Sequence, residues 1–139
     1  MASFKIHHNY KRIKGTVLVS MALLLTLLSG EWTESRADVP EAQKAEVQHL
    51  LDYLKNSGCQ MDRNGSIHDA QEAVSHILKK YDYYKDAIKT TEDFIERSAS
   101  RSSLSGRAYH VLCPREEVRP TADWLKEELD RYRKEKAGS

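Results

Sequence analysis

Ser100, Ser102, Ser103 and Ser105 share one short segment with Arg97, Arg101 and Arg107. Guanidinium forks, hydroxyls and exposed backbone N–H groups together suit a phosphate, a sulfate or a carboxylate. A small anion or a glycan is therefore one candidate ligand for this stretch. Two facts oppose it. Serine and glycine are ordinary loop residues. The segment also follows the C-terminal end of a predicted helix, where the backbone dipole disfavours anions. A solvated helix-to-strand connection is the simpler reading.

Arg63-Asn64-Gly65 is a second candidate. Asn-Gly mainly serves a tight turn, and Arg63 can lay its stem on Tyr109 or hold its charge over that ring. Among the histidines outside the N-terminal region (His49, His68, His76 and His110), His76 is the one to weigh as a general base. On a helical wheel it lies about 130° from the centre of its core face. That predicts exposure on a charged stripe between Glu72 and Lys80. No Gly-x-Ser-x-Gly nucleophile elbow is present, so no catalytic residue is assigned. His68 and His76 miss the i,i+4 spacing of paired metal ligands, and no histidine sits at ligand spacing beside a cysteine. Neither a metal nor a cofactor is expected. Tyr81, Tyr83, Tyr84 and Trp124 could form an aromatic contact patch, although partial burial is the plainer role for such residues.

The N-terminal region decides the setting for any such chemistry. Lys5, Lys11, Arg12 and Lys14 precede an uncharged, mostly apolar run from Val17 to Leu28, and a polar stretch ends in Ser35-Arg36-Ala37. Basic, then apolar, then small-x-small is the order of a secretory signal peptide. The run is shorter than the roughly 20 residues of a membrane-spanning helix. No cysteine directly follows it, which argues against lipidation. Residues 1–37 therefore read as a leader cleaved after Ala37, and residues 38–139 as a single small domain, periplasmic or secreted, with no stable membrane insertion after cleavage. Five of the 22 Lys and Arg and two of the 21 Asp and Glu lie in the leader, leaving 17 basic against 19 acidic residues. The slight basicity of the whole chain thus becomes slight acidity. That excludes the electrostatic footprint of a nucleic-acid binder.

An exported chain with two cysteines implies one disulfide, Cys59 to Cys113. Elements place it. Val47, Leu50, Leu51 and Leu54 form one stripe of a helix over 40–56, with Pro40 in its first turn. Cys59 to Arg63 reads as a strand with Cys59, Met61 and Arg63 on one face. Ser66-Ile67-His68-Asp69 matches a capping box opening a second helix, whose core face is Ala70, Ala73, Val74, Ile77, Leu78 and Tyr81. Thr90 or Thr91 caps a short third helix anchored by Phe94 and Ile95. Ala108 to Cys113 reads as a second strand with Tyr109, Val111 and Cys113 on one face. Glu116 to Pro120 is a linker. A last helix runs from Thr121 to Lys134, with Ala122, Leu125, Leu129 and Tyr132 inward and Glu127–Arg131 and Asp130–Lys134 pairs outside. If Cys59 faces Cys113 in an antiparallel pair, Met61 faces Val111 and Arg63 faces Tyr109. The expected fold is α+β, about four helices packed on a small two-stranded antiparallel sheet.

With these elements set out, the chain resembles the YfeK-like family of small exported bacterial proteins of unknown function. The matching pieces are Arg63-Asn64-Gly65, Ala73-x-x-His76, Thr91-x-x-Phe94-Ile95, Ser100-x-Ser102-Ser103-x-Ser105-Gly106 and Tyr109-x-Val111. The resemblance spans nearly all of residues 38–139. It implies an exported single domain and carries over no activity. Ala108 stands where a typical relative has proline.

Three functions compete. The first is a non-catalytic binding or interaction module of the cell envelope, with an envelope protein, a glycan or a small anion as partner. Its candidate ligand residues are Arg63, Asn64, His76, Arg97, Arg101, Ser102, Ser103 and Ser105. The second is a small hydrolase using His76 or a serine of the 100–105 loop. The third is a structural or stress-related envelope protein without a discrete ligand site. Whether Arg63, His76 and the serine loop converge in one cleft separates them.

Overall fold

The computed structural model describes residues 39–138. The predicted leader and its cleavage site lie outside them. Helix α1 spans Glu41–Asn56, and Pro40 occupies the N-cap position rather than the first turn. Its stripe of Val47, Leu50, Leu51 and Leu54 is buried. Strand β1 (Gln60–Arg63) follows, and Asn64 and Gly65 turn the chain with φ of 58° and 88°. Two successive positive φ values make the turn that suits the right-handed twist of a hairpin. The chain therefore returns along β1 as strand β2 (Ser66–His68), pairing Met61 with His68 and Arg63 with Ser66.

That pairing overturns the capping box at Ser66. Helix α2 (Ala70–Tyr84) is capped by Asp69, whose carboxylate accepts from Glu72 N–H at 2.8 Å. Residues 66–68 take β-ladder bonds first, because the hairpin turn delivers them to an open strand edge. A 3-10 turn at Lys85–Ala87 leads to helix α3 (Thr91–Phe94), which continues as a π-helical turn, Ile95–Ala99. Thr90 is its N-cap, in a reciprocal capping box with Asp93. Strand β3 (His110–Leu112) lies on the other side of β1, and Arg119–Pro120 adds strand β4 before helix α4, Thr121–Ala137.

The sheet thus has four strands in the order β2-β1-β3-β4, all antiparallel, where two were expected. The expected linker at 116–120 supplies one of them. Pro120 is tolerated there because β4 is an edge strand. The predicted register of the central pair is observed: Met61 pairs with Val111, and Cys59 is bonded to Cys113 with Cα atoms 4.2 Å apart. Met61, Val111 and Tyr109 point into the core with Phe94, Ile95, Ile88 and the α1 and α4 leucines.

Two helix faces differ from the wheel. On α2, Leu78 is exposed while Lys80 is buried. On α4, Leu125 and Leu129 are buried as predicted, Ala122 and Tyr132 are half-buried, and Trp124 and Glu128 join the buried face. Trp124 packs on Tyr53 with ring centroids 4.6 Å apart. Glu127 pairs with Arg119 and Arg131 with Glu128, in place of a Glu127–Arg131 pair. Arg133 ties three helices together: it holds Glu46 of α1 through two nitrogens at 2.7 and 2.8 Å and Glu92 of α3 at 2.6 Å. The Arg133 hydrogen bonds keep both carboxyls below the usual carboxylate range. No helix among the described residues is long and apolar enough to cross a membrane.

Candidate functional site

The first turns of α2 and the β1–β2 hairpin enclose an open cleft of about 550 Å³. Its lining comes from three elements: Arg63 of β1, His68 of β2, and Glu72, Ser75, His76 and Lys79 of α2, with Asp69 and Gln71 at the mouth of the helix. Arg63 Nη2 donates to His68 Nε2 at 3.0 Å, and His68 Nδ1 meets Glu72 Oε2 at 3.2 Å. A guanidinium can only donate. His68 Nε2 is therefore the acceptor, and the ring proton sits on Nδ1, aimed at the Glu72 carboxylate. Arg63 Nε is shielded from water and has no hydrogen-bond partner among the described residues.

His76 departs from the wheel's expectation. Instead of standing on a solvated stripe it is half-buried, its Nε2 3.1 Å from the Tyr109 hydroxyl and the two rings edge to face. Burial is the main reason its pKa falls to about 4, and Arg63, Lys80 and Lys79 push the same way. The ring is neutral at pH 7. Burial also raises the Tyr109 phenol, so its proton stays in place. The cation over the Tyr109 ring is Lys80, 5.2 Å from the centroid, and not Arg63. Lys80 Nζ donates to the Arg101 carbonyl at 2.5 Å, joining α2 to the chain after the π turn. Burial lowers its pKa.

The measurable consequence lies in His76. Its NMR titration is expected to have a midpoint near pH 4. A histidine held neutral in the folded state takes up protons more readily when unfolded. Its contribution to stability is therefore present above its ordinary value near 6.5 and is lost as pH falls toward 4. Replacing Arg63 by alanine removes one repelling cation and should raise the midpoint. A midpoint unmoved by that change would sink this account of the cleft's electrostatics.

The serine loop stands apart from the cleft. Ser102 is buried, and its Oγ accepts from the backbone of Leu104 and Ser105, each at 3.3 Å. Ser103 Oγ accepts from the Tyr84 hydroxyl at 2.9 Å, and Ser100 Oγ donates to the Glu96 carbonyl. Ser105 Oγ donates to Asn64 Oδ1 at 2.7 Å, which fastens the loop to the hairpin turn. Arg101 pairs with Glu96 at 2.8 Å. Arg97 is exposed in the middle of the π turn, outside the cleft lining. Of the predicted ligand residues, then, Arg63 and His76 meet in one cleft. Asn64, Ser102, Ser103 and Ser105 bond within the protein.

The cleft also holds His68, Glu72 and Lys79, which sequence reasoning did not single out. The His68–Glu72 spacing of i,i+4 was the one available signal, and it becomes useful only once β2 is known. Among the described residues, no group of three or more His, Cys, Asp or Glu side chains is placed to hold a metal ion.

Residues 41–133 match a family of unknown function, DUF5329. The chain belongs to this family. It is 36% identical over 98 residues to the uncharacterized protein YfeK of Salmonella typhimurium, covering 70% of this chain and 77% of that one. No solved structure matches the chain. The DUF5329 match runs from the start of α1 to the Arg133 clasp, so the elements forming the cleft all fall within it.

Proposed function

We propose that this member of the family is exported to the periplasm, with residues 1–37 removed as a signal peptide, and acts there as a non-catalytic binding module of the cell envelope. One observation carries the reading: Arg63 and His76, from separate elements, converge with His68 and Lys79 on an open polar cleft. The basic-apolar-small order of the leader supports export. A disulfide closing the central strand pair suits an oxidising compartment.

The hydrolase reading needs a serine hydroxyl of the 100–105 loop within reach of His76. The hydroxyl at His76 Nε2 belongs to Tyr109, and the loop serines bond elsewhere. The open cleft supports a binding module over a purely structural envelope protein.

The test begins with the intact mass of the protein recovered from the periplasm, which should correspond to cleavage after Ala37. Native capture from an envelope extract should then retain a protein, glycan or anion partner with the wild type and lose it with Arg63→Ala. Retention unaffected by Arg63→Ala would move the site elsewhere. No capture, together with an unchanged Tm across ligand screens, would leave the structural reading standing instead.

A further inference from the structure

We infer that the cleft takes a carboxylate-bearing sugar, with the carboxylate on the Arg63 guanidinium and the ring hydroxyls on the polar side chains of α2. This rests on the binding role just proposed for the same cleft.

The argument starts with the guanidinium. Arg63 commits Nη2 to His68, and its Nε has no partner. A donor left unmet on a half-buried arginine is costly, and an oxyanion that accepts from it recovers that cost. A carboxylate presents two oxygens in a plane, which matches two parallel N–H groups of the fork. Nε is shielded from water in this structure, so the carboxylate seats only once the Arg63 side chain turns that edge into the cleft.

The charges facing the cleft select among anions. Arg63 on β1 and Lys79 on α2 are positive, and the neighbouring Lys80 adds to their field. Asp69 and Glu72 are negative, and both are engaged, Asp69 with the Glu72 N–H and Glu72 with His68. His76 is neutral at pH 7. Two carboxylates beside two cations oppose a doubly charged phosphate more than a single carboxylate.

The rest of the lining is made for hydroxyls. Ser75 and Gln71 can donate and accept, Asp69 and Glu72 have oxygens to spare, and no large apolar side chain is present. A volume of about 550 Å³ lies in the usual range for small-molecule sites. An anion seated beside Arg63 would also offset the repulsion acting on His76. Ligand and proton therefore favour each other.

The experiment is an NMR titration of the purified protein with D-glucuronate, its uncharged methyl ester, acetate and inorganic phosphate, each followed at the Arg63 Nε–H and His76 ring signals. Glucuronate should bind about tenfold more tightly than each of the other three, since only it offers both carboxylate and hydroxyls. It should also raise the His76 midpoint. Arg63→Lys, which keeps the charge but not the fork, should lose most of that preference. Equal binding of the ester would overturn the carboxylate, and equal binding of acetate would overturn the sugar. Tighter binding of phosphate, or no shift with any probe, would overturn the inference outright. If it fails while envelope capture still depends on Arg63, the ligand class falls and the binding role of the cleft stands.

Discussion

Replacing Cys59 and Cys113 together by alanine is expected to cost about 4 kcal/mol of stability and to lower the Tm by roughly 15–30 °C. The bond spans 54 residues of sequence, so the chain it closes is long. Most of its stabilisation comes from restricting the unfolded chain. It also holds the start of β1 against the end of β3, next to the paired Met61 and Val111. Alanine is the better replacement because Cys59 is buried and a serine hydroxyl there would add a separate desolvation cost. Urea denaturation checks the mechanism as well as the size. An unfolded chain without the link exposes more surface, so the m-value should rise as the midpoint falls. A loss below about 1 kcal/mol with m unchanged would mean the bond is incidental.

The second large effect is expected at Phe94, where Phe94→Ala should cost about 3–5 kcal/mol. Phe94 is among the largest fully buried side chains and sits at the junction where α3 passes into the π turn. Its ring meets Tyr81 of α2 edge to face, with centroids 5.2 Å apart at 84°. Truncation leaves a cavity between α2 and the turn and removes an aromatic pair contributing about 0.5–1.5 kcal/mol beyond area burial. Phe94→Leu keeps most of the volume and should cost under about 1.5 kcal/mol. Urea midpoints for the two variants decide the matter. Equal losses would show that volume at this position is not what stabilises the junction. A small domain has only about 5–15 kcal/mol in total. Either the cysteine pair or Phe94→Ala therefore removes a large share, and the two combined should leave the protein mostly unfolded.

Several features follow from local pattern alone. The stripe of α1 repeats every three and four residues, and the alternation of Cys59, Met61 and Arg63 against Tyr109, Val111 and Cys113 fixes which face of each strand is buried. Strand parity has a period of two, so once the cysteines are joined the register has no freedom left. The third helix's cap, open between Thr90 and Thr91 in the sequence, falls at Thr90, where it and Asp93 satisfy each other's backbone. The same chemistry misled at Ser66. A serine three residues before an acid can cap a helix, but the Asn64-Gly65 turn had already committed residues 66–68 to pairing with β1. The turn and the strand edge outweighed the cap because each offers backbone hydrogen bonds to more than one residue.

The cleft was only partly visible. Arg63 and His76 could be named as candidates, but a helical wheel ranks charged and aromatic side chains by polarity and cannot see what lies across from them. Lys80 is buried because a carbonyl and a tyrosine ring receive its ammonium, and His76 is half-buried because a hydroxyl meets it. Both sets of partners come from beyond residue 100. By itself the sequence determined the α1 stripe, the strand parity and the disulfide, since these depend on periodicity and on the chemistry of single residues. Only the tertiary structure decided that four strands form, that the serine loop bonds to itself and to the hairpin, and that Arg63, His68, Glu72 and His76 share one cleft. Burial of a polar group is favourable only when a partner distant in sequence completes its hydrogen bonds, and no local pattern records where that partner lies.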